Sequence, residues 1–194
     1  IKKKLSFLYK NLIKLLFISI YGKIIFCENP KEEKDISIEE VKDDNLKDPD
    51  NLKYSIYKIK NGRIFNDFVE NVAIISGNKL INKVSYQQVN GEFKDASHNS
   101  VLYRGTPYLK KNINGRVLSL TQGASGHKNY FHWLYDILPK INICSKNYDL
   151  QKIDYFYISK LEKYQKSTLQ ILGYDNFKII DANKNRHIQA NEVI

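Results

Sequence analysis

The chain of 194 residues contains no methionine, only two cysteines and one tryptophan. A primary translation product begins with Met and this chain begins with Ile1, so we expect a processed protein or a fragment. The two cysteines, Cys27 and Cys144, offer neither a disulfide framework nor zinc-ligand spacing. They fit either a reducing compartment or two ordinary core thiols, and we expect a cytoplasmic protein. The apolar fraction of 42% is enough for an ordinary hydrophobic core.

Arginine is also scarce, since the 31 basic residues include only four Arg. A formal charge of +10 normally suggests a nucleic-acid partner. Proteins that bind base edges and phosphates, however, favour the bidentate guanidinium of Arg over the Lys ammonium. Abundant Lys together with 20 Asn is instead typical of an AT-rich genome. We therefore expect no nucleic-acid partner.

Residues 1–26 lack acidic side chains and long apolar runs, and they carry six Lys. Their longest uncharged run, Leu15–Gly22, has eight residues, whereas about 20 are needed to span a bilayer. Five leucines share one face of a helical wheel, opposite the lysines: Leu5, Leu8, Leu12, Leu15 and Leu16. The pattern predicts a basic amphipathic helix. This helix either lies peripherally on the inner face of an anionic membrane or packs on the folded domain.

The charge reverses in the next segment, where residues 27–50 carry ten acidic residues against four Lys. Its ISIEEV stretch can form a helical turn or two. A charge run of this kind is usually solvated, and residues 27–53 are therefore predicted to be an acidic linker. The folded domain is then expected to span residues 54–194.

Short antiparallel strands are predicted at the start of this domain. Residues 54–59 and 63–68 flank Asn61-Gly62, the preferred dipeptide of a tight β-hairpin. Residues 71–75 form the next strand, and further turns are expected at Gly77-Asn78 and Asn90-Gly91.

The pattern changes beyond residue 115 to apolar runs that alternate with helical segments. Strand, helix, strand, helix and strand are predicted at residues 116–121, 129–147, 153–159, 161–172 and 177–180, and a fourth strand begins near 188. This alternation is typical of a parallel, Rossmann-like α/β layer. The fold class is therefore α/β, with the short antiparallel strands preceding the parallel layer.

The helix at 129–147 carries the most informative residues. Asn129, His132, Trp133 and Asp136 follow i, i+3, i+4, i+7 spacing and are expected on one face. A carboxylate four residues after a histidine can fix its tautomer, which makes His132 a candidate general base oriented by Asp136. Trp133 offers an apolar plate for a sugar ring. The core-facing side of the helix is expected to consist of Tyr130, Phe131, Leu134, Ile137, Leu138 and Ile141. The alternative is a core helix whose His and Trp are satisfied internally.

A glycine turn precedes this helix, at the carboxyl end of a predicted strand. Helix N-termini suit phosphate, carboxylate or sugar hydroxyls, so Ser125, Gly126 and His127 are candidate substrate-binding residues. The turn lacks the third glycine of a dinucleotide fingerprint.

The block NYFHWLYDILPK (Asn129–Lys140) resembles the signature helix of glycosyltransferase family 61. The resemblance implies an inverting enzyme of GT-B architecture, with two Rossmann-like domains. Such enzymes transfer sugars from nucleotide sugars to glycans or proteins, and bacterial members often act in surface polysaccharide synthesis.

In that comparison the chain corresponds to the N-terminal half only, so the donor domain would be absent and the fragment alone inactive. The resemblance favours His132 and Asp136 as catalytic residues and Asn129 and Trp133 as substrate-binding residues. No paired aspartates follow a strand, so we expect no metal, and no cofactor besides the nucleotide-sugar co-substrate. The alternative function is a non-catalytic sugar- or nucleotide-binding module, or an inactive fragment.

Overall fold

The computed structural model describes residues 2–41, 53–67, 71–121 and 129–194, and these form strands and helices around one large sheet. The strands are β1 (Ile25–Cys27), β2 (Ile36–Glu40), β3 (Ser55–Lys60), β4 (Arg63–Asn66), β5 (Val72–Ser76), β6 (Lys79–Ile81), β7 (Gln87–Val89), β8 (Glu92–Lys94), β9 (Lys111–Ser119), β10 (Tyr155–Ile158), β11 (Lys178–Asp181) and β12 (His187–Val193). The α-helices are α1 (Lys2–Tyr21), α2 (Val101–Arg104), α3 (Tyr130–His132), α4 (Leu138–Asn147) and α5 (Lys163–Ile171).

The central part of the sheet is parallel. Strands β12, β9, β10 and β11 lie side by side in that order, and each pair of neighbours runs in the same direction. Helices α3 and α4 connect β9 to β10, and α5 connects β10 to β11. The predicted α/β class with a parallel layer is thereby confirmed, and the arrangement is compatible with a Rossmann-like fold.

The rest of the sheet is mostly antiparallel, as predicted for the residues that precede the parallel layer. Strands β4, β5 and β6 form a meander, and β12 pairs antiparallel with β4. The predicted turn at Gly77-Asn78 joins β5 to β6. Strands β7 and β8 form a separate ribbon around Asn90 and Gly91, whose positive φ angles of 52° and 85° fit a tight hairpin turn.

The predicted hairpin at Asn61-Gly62 is wrong. Strands β3 and β4 do not pair with each other. They lie one after the other along β12, with Ile59 opposite Val193 and Arg63 opposite Gln189. Asn61 adopts a positive φ of 50°, which lets the chain bulge and continue in the same direction.

Glycine is required after this bulge because of a close backbone approach. A Cβ at Gly62 would lie 2.9 Å from both the carbonyl oxygen of Ile59 and the Cβ of Val193. The Asn-Gly pair therefore marks a bulge packed against β12.

The acidic segment 27–53 is not a plain linker in its described part. Its Ile36–Glu40 stretch forms β2, which pairs antiparallel with β3 along five residue pairs. Ile36 is buried in the core, and Lys58 of β3 forms an ion pair with Glu39. The prediction of a helical turn here is wrong because the alternation of Ile and polar residues suits an edge strand with one buried face.

The amphipathic helix predicted over residues 1–26 is present as α1 but ends at Tyr21. Gly22 takes a positive φ of 80° and donates its N–H to the carbonyl of Ile18, closing the helix. Ile25 and Phe26, predicted as helix, and Cys27, predicted as the start of the linker, instead form β1 beside β6. Across the described residues, no helix combines the length and apolarity required to span a bilayer.

The placement of β3 against β12 can be tested by a disulfide between facing positions. Lys60 and Glu192 face each other in the register of β3 and β12. Facing residues on neighbouring strands are close enough to form a disulfide. We expect Lys60→Cys/Glu192→Cys to cross-link under mild oxidation, measured by loss of free thiols and by a change in gel mobility. Ser37→Cys/Glu192→Cys is the control, because strands two apart are separated by about 9–10 Å and β3 lies between β2 and β12. Absence of the first cross-link would contradict the continuous β3–β4 path.

Candidate functional site

The helix that carries the candidate residues begins at the carboxyl end of β9, the edge at which parallel α/β sheets bind ligands. Asn129 is its N-cap: the side-chain oxygen accepts hydrogen bonds from the N–H groups of Phe131 at 3.0 Å and His132 at 3.4 Å. This bonding gives Asn129 a structural role in starting the helix. Its predicted contact with substrate stays a prediction.

His132 and Asp136 form the pair that the spacing predicted. The ring Nδ1 lies 2.6 Å from Asp136 Oδ2, one helical turn away. The two side chains are 27% and 33% exposed, so solvent or a ligand can reach them. Because the carboxylate accepts at Nδ1, the proton of the neutral ring is assigned to Nδ1 and the basic lone pair to Nε2. Such a pair can take a proton from a hydroxyl group.

The helix widens just after His132. Residues Trp133–Ile137 form a π-helical turn in which the N–H of Leu138 bonds the carbonyl of Trp133, five residues back. Pro139 follows and cannot donate a helical hydrogen bond. A π turn at this point changes the phase of the helix between Trp133 and α4, and such turns are frequent at functional sites.

Trp133 does not lie on the His132–Asp136 face, which corrects the prediction of a sugar-stacking plate. Its ring is fully buried, at the start of a core seam that packs on β9 and β10. That seam consists of Trp133, Ile137, Ile141 and Cys144. Since no part of the indole is exposed, it is not available to a ligand.

The aromatic rings that are exposed at this site are not the ring that was predicted to contact the substrate. Tyr130 and Phe131 were expected in the core but are 58% and 61% exposed. Tyr135 is 65% exposed, and its ring centroid lies 4.6 Å from that of Phe131. Phe131 also packs edge-on against His132. Phe131 and Tyr135, four residues apart, therefore form an aromatic surface beside the His132–Asp136 pair.

A cavity of about 580 Å³ opens next to this helix, a size in the range of small-molecule sites. It lies between the helix, the end of β9 and the antiparallel strands β3 and β5. Its polar and aromatic lining includes Tyr57, Tyr86, Ser119, Tyr135, Asp136 and Lys140. Among the described residues, Asp136 lines the cavity and His132 does not. His132 is one turn away, so the pair connects the cavity to the surface beside it.

Lys140 lines the cavity but was not among the site residues predicted from the sequence. It lies four residues after Asp136, and its Nζ is 3.5 Å from the carbonyl of Thr121. Burial lowers the pKa of Lys140 to about 8, while the charge of Asp136 acts in the opposite direction. A half-buried ammonium at a cavity wall can bind an anionic group such as a phosphate. The four-residue spacing of positions 132, 136 and 140 indicates a shared helix face, but the sequence alone does not show that Lys140 is buried.

The glycine turn lies outside the described residues, and with it the candidates Ser125, Gly126 and His127. Their predicted role in substrate binding stays a prediction. In the ranges that the structure describes, no group of three or more His, Cys, Asp or Glu residues is placed to hold a metal ion.

Comparisons of the chain with protein-family models, with curated proteins and with solved structures gave no match.

The lowered pKa of Lys140 predicts a pH-dependent stability. An unfolded lysine keeps its proton up to its ordinary pKa of 10.5, whereas folded Lys140 loses it above about 8. Between these values the unfolded state binds more protons, so the free energy of unfolding should rise with pH, by at most about 1.4 kcal/mol per unit. Urea unfolding of the wild type and of Lys140→Met, from pH 7 to pH 10, measures this rise as a difference between the two proteins.

The exposed Lys166 of α5 provides the matched control. The difference between the wild type and Lys166→Met should stay constant with pH. An equally constant difference for Lys140→Met would show that the Lys140 ammonium is not desolvated.

Proposed function

We propose that the chain is the N-terminal α/β part of an inverting glycosyltransferase. It would transfer a sugar from a nucleotide-sugar donor to a hydroxyl of a glycan or protein, as in surface polysaccharide synthesis. The observation that carries the proposal is the 2.6 Å bond between His132 Nδ1 and Asp136 Oδ2 beside a cavity at the carboxyl edge of the parallel strands. The likeness of the Asn129–Lys140 block to glycosyltransferase family 61 supports it.

In the proposed reaction His132 acts on the acceptor. Its Nε2 takes the proton from the acceptor hydroxyl as the oxygen forms a bond to the anomeric carbon of the donor sugar. The bond between that carbon and the diphosphate oxygen breaks, and the nucleoside diphosphate leaves with the electron pair. Asp136 keeps the imidazole in the required tautomer and stabilises the imidazolium that forms.

The proposal gives roles to two other groups because of their positions. The ammonium of Lys140 is placed to balance negative charge on a phosphate at the cavity wall. Phe131 and Tyr135 offer apolar ring faces to an acceptor sugar next to His132.

The GT-B architecture belongs to the same proposal, with a second Rossmann-like domain facing this edge and holding the nucleotide.

A binding module without catalysis is the second candidate. It is favoured by the position of His132 outside the cavity lining, whereas tyrosines and Lys140 lie inside. Such a module would bind a saccharide or nucleotide saturably and transfer nothing. The two candidates therefore differ in product formation and not in binding.

The catalytic role is tested with His132→Gln and Asp136→Asn in the full gene product, using labelled nucleotide sugars and saccharide acceptors. Loss of a general base lowers kcat by about a hundredfold to ten-thousandfold, and we expect that loss for His132→Gln. Asp136→Asn should also lower kcat because an amide can favour the wrong tautomer. Lys166→Met, on the exposed side of α5, should transfer sugar at the wild-type rate.

A folded His132→Gln protein with unchanged kcat would remove the histidine from the mechanism. Saturable binding of a nucleotide or oligosaccharide, without transfer from any donor, would instead identify a binding module.

The aromatic surface gives a separate prediction about the acceptor. Phe131→Ala and Tyr135→Ala should each raise the acceptor KM by about two- to tenfold, because each removes a stacking contact worth about 0.5–1.5 kcal/mol. Trp133→Phe is the contrasting variant, since this ring is fully buried. It should lower the midpoint of thermal unfolding and leave KM unchanged. A raised KM for Trp133→Phe alone would restore the original assignment of Trp133 to the substrate.

A further inference from the structure

Helix α1 turns its apolar side outward. Five of its large apolar side chains are more than half exposed: Tyr9 (66%), Leu12 (66%), Leu15 (63%), Leu16 (55%) and Ile20 (53%). At 100° per residue they cover one arc of roughly 140° around the helix. We call this set the leucine face. An unpaired apolar face of this size on a helix needs a partner in its working state.

The domain holds α1 by its last turn and from a different side. The hydroxyl of Tyr21 accepts a hydrogen bond from the backbone N–H of Lys110 at 2.9 Å, and its carbonyl accepts one from Arg63 Nη1 at 3.4 Å. The Tyr21 ring packs edge-on against His187, at 4.9 Å between centroids. Burial lowers the pKa of His187 to about 4, so this ring is neutral and packs as an apolar group. The attachment fixes the helix to the domain, and the described residues leave the leucine face uncovered.

The charge around α1 indicates which partner covers the leucine face. Residues 1–26 contain six Lys and no acidic residue. If two copies of this chain paired through α1, two helices whose charged side chains are all lysines would lie side by side. Their mutual repulsion disfavours self-association. An anionic lipid surface instead offers acyl chains to the leucines and negative headgroups to the lysines.

We propose that α1 docks the protein onto an anionic lipid bilayer. The helix lies in the plane of the interface, with Leu12, Leu15 and Leu16 inserted below the headgroups. Lys10, which is exposed on another side of the helix, extends its ammonium to the headgroups, as long basic side chains do at interfaces. The helix does not cross the bilayer in this arrangement. The inference is independent of the proposed sugar transfer.

The test is flotation of the whole chain with lipid vesicles. We expect binding to phosphatidylcholine vesicles that contain about one-third phosphatidylglycerol, and much weaker binding to pure phosphatidylcholine, with a decrease as salt is added. Leu12→Gln/Leu15→Gln/Leu16→Gln should weaken binding by more than about tenfold. All three side chains are exposed, so the variant should remain folded, as circular dichroism will verify.

The matched control makes the same kind of substitution on another part of the surface. Ile171→Gln/Leu172→Gln removes two exposed apolar side chains from the end of α5 and should bind vesicles like the wild type. A Leu16→Trp reporter should shift its emission to shorter wavelength on anionic vesicles. Equal vesicle binding by the triple variant would overturn the proposal. So would concentration-dependent dimers that form without lipid and that the triple variant abolishes, because the leucine face would then bind a second copy.

Discussion

The structure depends on the pairing of one strand, β12. On one side it runs parallel to β9, and on the other it runs antiparallel to β4 and β3. It therefore joins the parallel layer to the antiparallel strands, and its side chains Ile188, Ala190 and Val193 are buried in the core that both parts share. The cavity follows from this junction, because one wall comes from the antiparallel strands and the other from the helix after β9.

The parallel layer could be predicted from the sequence because each of its elements has a local pattern. Strand β10 and the end of β9 are continuous apolar runs, and Gly173, with a φ of 76°, follows the C-cap of α5, where glycine commonly ends a helix. The partners of β12 could not be predicted in this way, since Ile59 and Val193 are 134 positions apart. The Asn61-Gly62 pair was misleading because a hairpin and a bulge both require a positive φ at the asparagine. Only the distant strand decides between them.

The candidate site was predictable to the extent that it depends on spacing along one helix. His132 and Asp136 meet because they are four residues apart on that helix. The face that the helix turns to the sheet was not predictable, since apolar and aromatic residues surround it on all sides and the π turn shifts its phase. Trp133 took the core position that was expected for Phe131. The burial of Lys140 depends on the same tertiary packing, so its lowered pKa has no local signal.

Strand β12 also relates the two proposed surfaces to each other. Its first residue, His187, packs against Tyr21 and so helps to hold α1, whereas its last residue, Val193, lines the cavity. Six steps of about 3.3 Å separate these ends by about 20 Å. A helix lying in a membrane interface would therefore hold the cavity at a fixed distance from its anchor. Exposed polar groups of the site, including the His132–Asp136 pair, could then stay in water. For the proposed sugar transfer, this geometry would let a water-soluble anionic donor meet an acceptor hydroxyl presented close to the membrane surface.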